Sequence, residues 1–90
     1  MTLRIVRLSD REKEHITLKL IGRIRSDDLT TIRTEIAASG KVVAIDLEEV
    51  TLVDLEAVRF LCSCELEGIR VVNCARYIRD WITRERADFR

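Results

Sequence analysis

The chain has 90 residues, which is enough for one hydrophobic core of modest size and too few for a second domain with its own core. Hydrophobic residues make up 47% and charged residues 36% of it, a balance that favours a folded globular protein over a disordered one. The 16 basic and 16 acidic residues cancel, so no overall field draws the chain to nucleic acid or to an anionic membrane. We therefore expect a single domain over residues 1–90 that does not bind nucleic acid.

The N-terminus and the cysteines both indicate a cytoplasmic protein. No apolar run approaches the ~20 residues that span a bilayer, and arginines interrupt the first residues, where a signal peptide would be continuously apolar. Cys62, Cys64 and Cys74 have no disulfide-framework spacing, and we expect them to be reduced, small, buried side chains. Cys62 and Cys64 lie two residues apart in a predicted helix and point to different faces, so they cannot ligate one metal ion there. No cofactor or metal site is predicted.

The first segments predict a β-hairpin. Residues 3–8 are apolar with arginines interspersed, and a polar run over residues 9–14 predicts the turn. Ile16, Leu18 and Leu20 then alternate with polar residues, the period-two pattern of a strand with one buried face. His15 lies on the polar side of this strand and is interpreted as a solvated residue, not a catalytic base.

An amphipathic helix is expected after the hairpin. Ser26 is predicted to cap its N-terminus, and Asp27 and Asp28 suit the positive end of the helix dipole. Ser39 and Gly40 predict its end. The apolar stripe of this helix comprises Leu29, Ile32, Ile36 and Ala37.

The next strand and helix carry the densest signals. Residues 42–45 form an apolar run without alternation, which predicts a central parallel strand covered on both faces. Residues 46–53 are interpreted as a connection to Asp54, which is a good N-cap for a helix ending at Gly68. The predicted apolar stripe of this helix comprises Leu55, Val58, Leu61, Cys62 and Leu66.

The last segments complete an alternating pattern. Residues 69–73 predict a short strand, and residues 75–87 predict a helix whose apolar face holds Tyr77, Ile78, Trp81 and Ile82. Its arginines, interleaved with acidic residues, indicate a solvated face with i,i+4 pairs: Arg76, Arg79, Arg84 and Arg86, with Arg90 beyond. The order β-β-α-β-α-β-α predicts an α/β fold, a mixed sheet of about four strands with helices packed on it.

The stretch from residue 42 to Asp54 (VVAIDLEEVTLVD) resembles the central strand and loop of STAS domains, the fold of anti-sigma factor antagonists. Residues 20–24 (LIGRI) are similar to the element that follows the second strand of that family, and residues 68–73 (GIRVVN) to the strand after its second helix. The resemblance implies a stand-alone STAS-like domain that acts by binding another protein.

The resemblance also implies that the usual switch is missing. In phosphorylation-switched antagonists the loop reads Asp-Ser-Ser-Gly, and the first Ser, or a Thr, accepts the phosphate. Here Asp54 matches, but Leu55 stands at the acceptor position and has no hydroxyl. Thr51 and Ser63 are the nearest alternatives. Leu55 is either the first core residue of its helix or an apolar residue at the centre of an interface, and both interpretations stay open.

We expect a non-catalytic interaction module whose partner is an anti-sigma factor or a related kinase. A constitutive subunit of a larger complex, such as an ABC-transporter ATPase assembly, is the alternative, and homo-oligomers are compatible with either. An enzyme ranks last, because no nucleophile and base occur together in a motif. The candidate partner-binding residues are Asp54, Leu55, Glu56, Ala57, Arg59, Glu48 and Glu49. The acidic residues around the loop, which include Asp46, are interpreted as a surface for a basic partner in preference to a divalent-cation site.

Overall fold

The computed structural model describes residues 3–10 and 15–88, so residues 11–14 of the predicted turn and Arg90 lie outside the described residues. The elements follow the predicted order β-β-α-β-α-β-α, which is confirmed. The strands are β1 (Arg4–Asp10), β2 (His15–Ile24), β3 (Val42–Val53) and β4 (Arg70–Val72). The helices are α1 (Leu29–Ala38), α2 (Leu55–Leu66) and α3 (Arg76–Asp88), with a 3-10 turn over Ser26–Asp28 before α1.

The strands form one mixed sheet in the order β1-β2-β3-β4. β1 pairs antiparallel with β2, whereas β2–β3 and β3–β4 are parallel, as crossovers through α1 and α2 require. The predicted α/β fold with a mixed sheet is therefore confirmed. In the described part of the chain, no helix is long and apolar enough to cross a membrane.

The central strand β3 is longer and less regular than predicted. It continues through residues 46–53, which were expected to form a connection, and ends only at Val53 beside Ile24 of β2. The register shifts three times against β2, and each shift places an extra residue in β3. Each extra residue reverses the faces that the following side chains point to, so burial does not alternate along the strand.

One face of the sheet packs against the helices. Leu20 and Ile24 of β2 join one buried cluster with residues of all three helices, among them Ile32, Val58 and Ile78. The intervening β2 residues are half-buried or exposed: Thr17, Lys19, Ile21 and Arg23. The described helices therefore pack on the face that carries Leu20 and Ile24. Within the run predicted to be covered on both faces, Ala44 and Ile45 are buried, whereas Val42 and Val43 are half-buried.

Helix α2 is buried on two sides, so its buried residues differ from those of the predicted apolar stripe. Val58, Leu61 and Cys62 are buried as expected, but Leu55 and Leu66 are exposed. Ala57, Phe60 and Cys64 are buried in their place. The guanidinium of Arg33 on α1 lies 4.9 Å from the centroid of the Phe60 ring, so this side of α2 meets α1. The helix ends before Gly68, whose φ of 93° is readily adopted only by glycine.

Helix α3 is held by ion pairs that reach other elements. Glu65 of α2 is largely buried and pairs with Arg79 at 3.1 Å and with Arg86 at 3.4 Å. Arg79 also donates a hydrogen bond to the carbonyl of Val71 in β4 at 3.0 Å. The i,i+4 pairs predicted for these two arginines are replaced by contacts between elements. On the apolar face of α3, Ile78 and Ile82 are fully buried, whereas Tyr77 is exposed and is not the core residue that was predicted.

The two cysteines of α2 are core residues, as predicted. Cys62 and Cys64 are buried and point to different sides of the helix, since the Cys62 thiol donates to the carbonyl of Ile82 on α3 at 3.5 Å while Cys64 lies on the α1 side. Burial raises the pKa of Cys62, and it raises the pKa of Cys64 to about 12. Cys74, between β4 and α3, is half-buried.

These environments predict an order of thiol reactivity. Alkylation of the native protein with iodoacetamide near pH ~8 should modify Cys74 first, because a thiol with a pKa of about 12 is only about one part in ten thousand thiolate at that pH. Cys62 and Cys64 should react only after unfolding in guanidinium chloride, which serves as the control. Mass spectrometry with peptide mapping gives the order, and native labelling of Cys64 as fast as that of Cys74 would contradict the buried position of α2.

Candidate functional site

The candidate site lies where β2 and β3 end and α2 begins, and Asp54 is at its centre. One carboxylate oxygen of Asp54 accepts a hydrogen bond from the backbone N–H of Ala57 at 2.9 Å, which is the N-cap predicted from the sequence. The other oxygen accepts from the backbone N–H of Ser26 at 2.8 Å. The Asp54 backbone N–H donates to the carbonyl of Ile24 at 3.3 Å. One side chain therefore joins the start of α2 to the segment that leaves β2.

The role predicted for Ser26 is wrong. Ser26 lies in the 3-10 turn, α1 begins three residues later at Leu29, and no side-chain hydrogen bond caps α1. Ser26 contributes its backbone N–H to Asp54 instead. The turn is closed locally by Asp28, whose carboxylate accepts from the backbone N–H of Arg25 at 2.9 Å.

Exposed apolar side chains occur near the end of β3. Five large hydrophobic side chains are exposed in the described part of the chain, and three of them are at this end of β3. Leu52 is 52% exposed and Leu55 is 38% exposed, on either side of Val53 and Asp54. Tyr77 is 48% exposed, and its hydroxyl donates to the carbonyl of Thr51 at 3.0 Å, which holds the ring next to the end of β3.

A cavity of about 250 Å³ opens beside Leu52 and Asp54. Two exposed arginines line this cavity: Arg23, near the end of β2, and Arg25, just after β2. Arg23 lies opposite Leu52 in the register between β2 and β3. The remaining lining comes from residues 24 and 52–54. We call the surface formed by Arg23, Arg25, Leu52, Asp54, Leu55 and Tyr77 the strand-end surface.

The predicted partner-binding residues on α2 divide into surface and interior. Glu56 and Arg59 are exposed and form an ion pair at 3.6 Å, and Arg59 also contacts Glu85 of α3 at 3.2 Å. Ala57 is fully buried, so its side chain lies beneath the surface, and its part in the site is the N–H that it donates to Asp54. Leu55 is the exposed apolar residue of this turn, which favours the interface interpretation over the core one.

Glu48 and Glu49 lie away from the α2 N-terminus, on β3. Lys19 of β2 binds both carboxylates, at 3.7 Å for Glu48 and 2.8 Å for Glu49. The hydrogen bond to Glu49 is the largest cause that raises the pKa of Lys19, and the charge of Glu48 adds to it. The acidic residues that are close in sequence therefore occupy two separate places in the fold, around Lys19 and around Asp54.

The acidic residues show no arrangement for a cation within the described residues. No group of three His, Cys, Asp or Glu side chains there is placed to hold a metal ion. Asp46 accepts hydrogen bonds from the backbone N–H of Glu48 at 2.9 Å and from the side-chain amide of Asn73 at 3.2 Å. Asp46 therefore serves the local structure around the middle of β3.

A second cavity, of about 510 Å³, lies over the sheet and is lined by residues of all four strands. Ser9, His15 and Asp46 all line it, so the residue types of a hydrolytic triad occur together. However, both carboxylate oxygens of Asp46 are occupied by Glu48 and Asn73, and neither contacts His15. This geometry lacks the base-to-carboxylate hydrogen bond on which such a triad depends.

Comparison with solved structures shows the fold. The chain is similar to an uncharacterized protein of the DUF3478 family from Shewanella loihica PV-4, whose crystal structure has a SpoIIAA-like fold. The two are 20% identical, the TM-score is 0.52, and the match covers 97% of this chain and 79% of that chain. No family model and no curated protein matches the sequence. At this identity the likeness shows the fold alone, and the STAS-like fold predicted from the sequence is confirmed.

The two hydrogen bonds of Asp54 predict a marked effect of its replacement. Asp54→Ala should lower the free energy of unfolding by about 1 to 3 kcal/mol, since it leaves two backbone donors without their acceptor. Asp54→Asn, which keeps one acceptor oxygen, should cost less. Urea denaturation measures both variants, and hydrogen exchange at the amides of Ser26 and Ala57 should accelerate in the Ala variant. An Ala variant as stable as the wild type would show that the N-cap contributes nothing to the fold.

Proposed function

We propose that the chain is a non-catalytic interaction module that docks a protein partner on the strand-end surface. The observation that carries this proposal is the exposure of Leu52, Leu55 and Tyr77 near one end of the sheet, although side chains of similar size elsewhere in the chain are buried in the core. Apolar residues exposed together, as opposed to singly, mark interaction surfaces. Leucine and tyrosine side chains on rigid elements also lose little entropy when a partner covers them.

The STAS-like fold supports the same location. By resemblance, the loop that opens α2 is the segment that partners of anti-sigma factor antagonists contact, and Asp54 occupies the matching position. The partner class proposed on this basis is an anti-sigma factor or a related kinase. A constitutive place in a larger assembly, such as one built on a transporter ATPase, draws equal support from the absence of a hydroxyl at Leu55.

The proposed binding is constitutive. A phosphate adds nearly two negative charges and releases a partner by repulsion and desolvation, and Leu55 cannot receive one. The two hydroxyls nearest in the sequence are each engaged within the chain. Thr51 donates to the carbonyl of Gly22 at 3.2 Å, and Ser63 donates to the carbonyl of Phe60 at 2.7 Å.

A charge at Leu55 should abolish partner binding without unfolding the protein. Leu55→Asp places a carboxylate in the apolar surface, yet Leu55 is 38% exposed, so the thermal midpoint should stay close to that of the wild type. Leu66→Asp is the matched control, because Leu66 is 59% exposed at the other end of the same helix. Quantitative affinity enrichment from the native host, followed by titration of the purified partner, measures the effect.

The expected result is a partner retained by the wild type and by the Leu66→Asp variant and lost by the Leu55→Asp variant. If Leu55→Asp loses its partner and its thermal midpoint together, Leu55 is a core residue. If Leu55→Asp keeps both, the strand-end surface is not the docking site, and the exposed part of α3 around Arg76 becomes the next candidate.

Kinase treatment should leave the α2 N-terminus unmodified. Incubation with ATP and a serine kinase is expected to add no phosphate at residues 54–57, which offer no hydroxyl. Intact mass and peptide mapping are the measurements, with a STAS protein that has Ser at the acceptor position as the control for kinase activity. Stoichiometric phosphate on Thr51 would show that a phosphorylation switch exists at a different position.

A further inference from the structure

We propose that the strand-end surface receives an acidic segment of the partner, in which one apolar side chain enters the cavity and flanking carboxylates pair with Arg23 and Arg25. This inference rests on the proposed function and adds the chemistry of the partner. It depends on which charged side chains of the surface are already paired within the chain, and on the size of the cavity.

The cationic side of the cavity is unpaired. Arg23 and Arg25 are both exposed and line the cavity. Within residues 3–10 and 15–88, neither guanidinium forms an ion pair, whereas Arg7, Arg59 and Arg79 each do. An arginine fork without a carboxylate is free to form two parallel hydrogen bonds with one from a partner.

Three carboxylates near the cavity are engaged within the chain. Asp54 uses both oxygens for backbone N–H groups, and Asp28 accepts from the N–H of Arg25. Glu56 pairs with Arg59. Asp27, exposed on the 3-10 turn, is not part of the cavity lining. Asp54 keeps its negative charge, because N–H groups are neutral, but its two oxygens are already used as acceptors. The charged groups of the cavity lining that have no hydrogen-bond or ion-pair partner among the described residues are the guanidiniums of Arg23 and Arg25.

The structure thus favours the opposite sign from the one that the sequence favours. A basic partner was expected because acidic residues are dense around residues 46–56. Lys19 already binds two of them, Glu48 and Glu49, on the sheet. The density of acidic residues in the sequence includes these two carboxylates, which lie on the sheet. A partner at the strand-end surface contacts Arg23 and Arg25 instead.

The volume of the cavity indicates a side chain as its occupant. At about 250 Å³ it is smaller than the roughly 300 to 1,000 Å³ of typical small-molecule sites, and Ile24, Leu52 and Val53 supply apolar lining. A leucine-sized or phenylalanine-sized anchor surrounded by carboxylates satisfies both features. Such an arrangement places the apolar contact at the centre and the charge pairs at the rim, as in other protein interfaces.

Selection from a random peptide library displayed on phage tests the proposal with the intact chain. Peptides recovered on the wild-type protein should be enriched in Asp and Glu around one large apolar residue. One such peptide, made synthetically, should shift the amide resonances of residues 23–25 and 52–55. Its affinity should fall as the NaCl concentration rises, because the charge pairs at the rim are exposed to solvent.

Charge reversal identifies the residues responsible. The double variant Arg23→Glu, Arg25→Glu should bind the synthetic peptide at least about tenfold more weakly and keep its thermal midpoint. Arg70→Glu, Arg84→Glu is the matched control, since both arginines are exposed and lie on β4 and α3. Replacement of the peptide's apolar anchor by Ser should weaken binding as well.

The outcomes separate this inference from the proposed function. Peptides that are basic, or that bind the double variant unchanged, overturn the acidic partner. If those peptides still depend on Leu55, the docking surface itself stands. Peptides that ignore both Leu55→Asp and the arginine variants overturn both proposals, and so does a library with no enrichment over a control without protein.

Discussion

The carboxylate of Asp54 is the interaction on which the strand-end surface depends. Its two oxygens accept hydrogen bonds from the backbone N–H groups of Ser26 and Ala57. Ser26 precedes α1 and Ala57 follows β3, so the two donors are far apart in the sequence. Both donors are backbone groups at the start of helical turns, where the chain itself supplies no acceptor. Because one rigid side chain satisfies both, the ends of β2 and β3 and the first turn of α2 are held as one unit. Leu52 and Leu55 lie on either side of this unit, so their positions are fixed by it.

Local signals predicted the elements, and they predicted Asp54 as an N-cap, because capping depends on residues three positions apart. The contact with Ser26 lies beyond such reasoning, since the two residues are brought together only when β2 and β3 pair in parallel. For the same reason Ser26 was wrongly predicted as the cap of α1: a local rule found a suitable hydroxyl, while the fold required its N–H elsewhere. The STAS-like order of elements, by contrast, could be predicted from pattern and resemblance.

Burial was less predictable than secondary structure. The apolar stripe predicted for α2 assumed a helix with one buried side. In the structure α1 and α3 lie on either side of α2, so Phe60 and Cys64 are buried and the end residues Leu55 and Leu66 are exposed. Along β3, extra residues change which face each side chain points to, and no sequence pattern marks where they occur. Tyr77 was placed on the apolar face of α3 from its spacing with Ile78 and Trp81, yet its hydroxyl donates to the carbonyl of Thr51 and its ring is exposed.

A neutral sequence does not imply neutral surfaces, and this chain shows how the difference arises. Parallel pairing brings Lys19 beside Glu48 and Glu49, and helix packing brings Arg79 and Arg86 onto Glu65. Each such pairing offsets charges of both signs, because opposite charges within a few ångströms cancel at longer range. The arginines at the end of β2 have no comparable partner among the described residues. The strand-end surface therefore combines these two arginines with one carboxylate, that of Asp54, and its local charge differs from the neutral sum of the whole sequence.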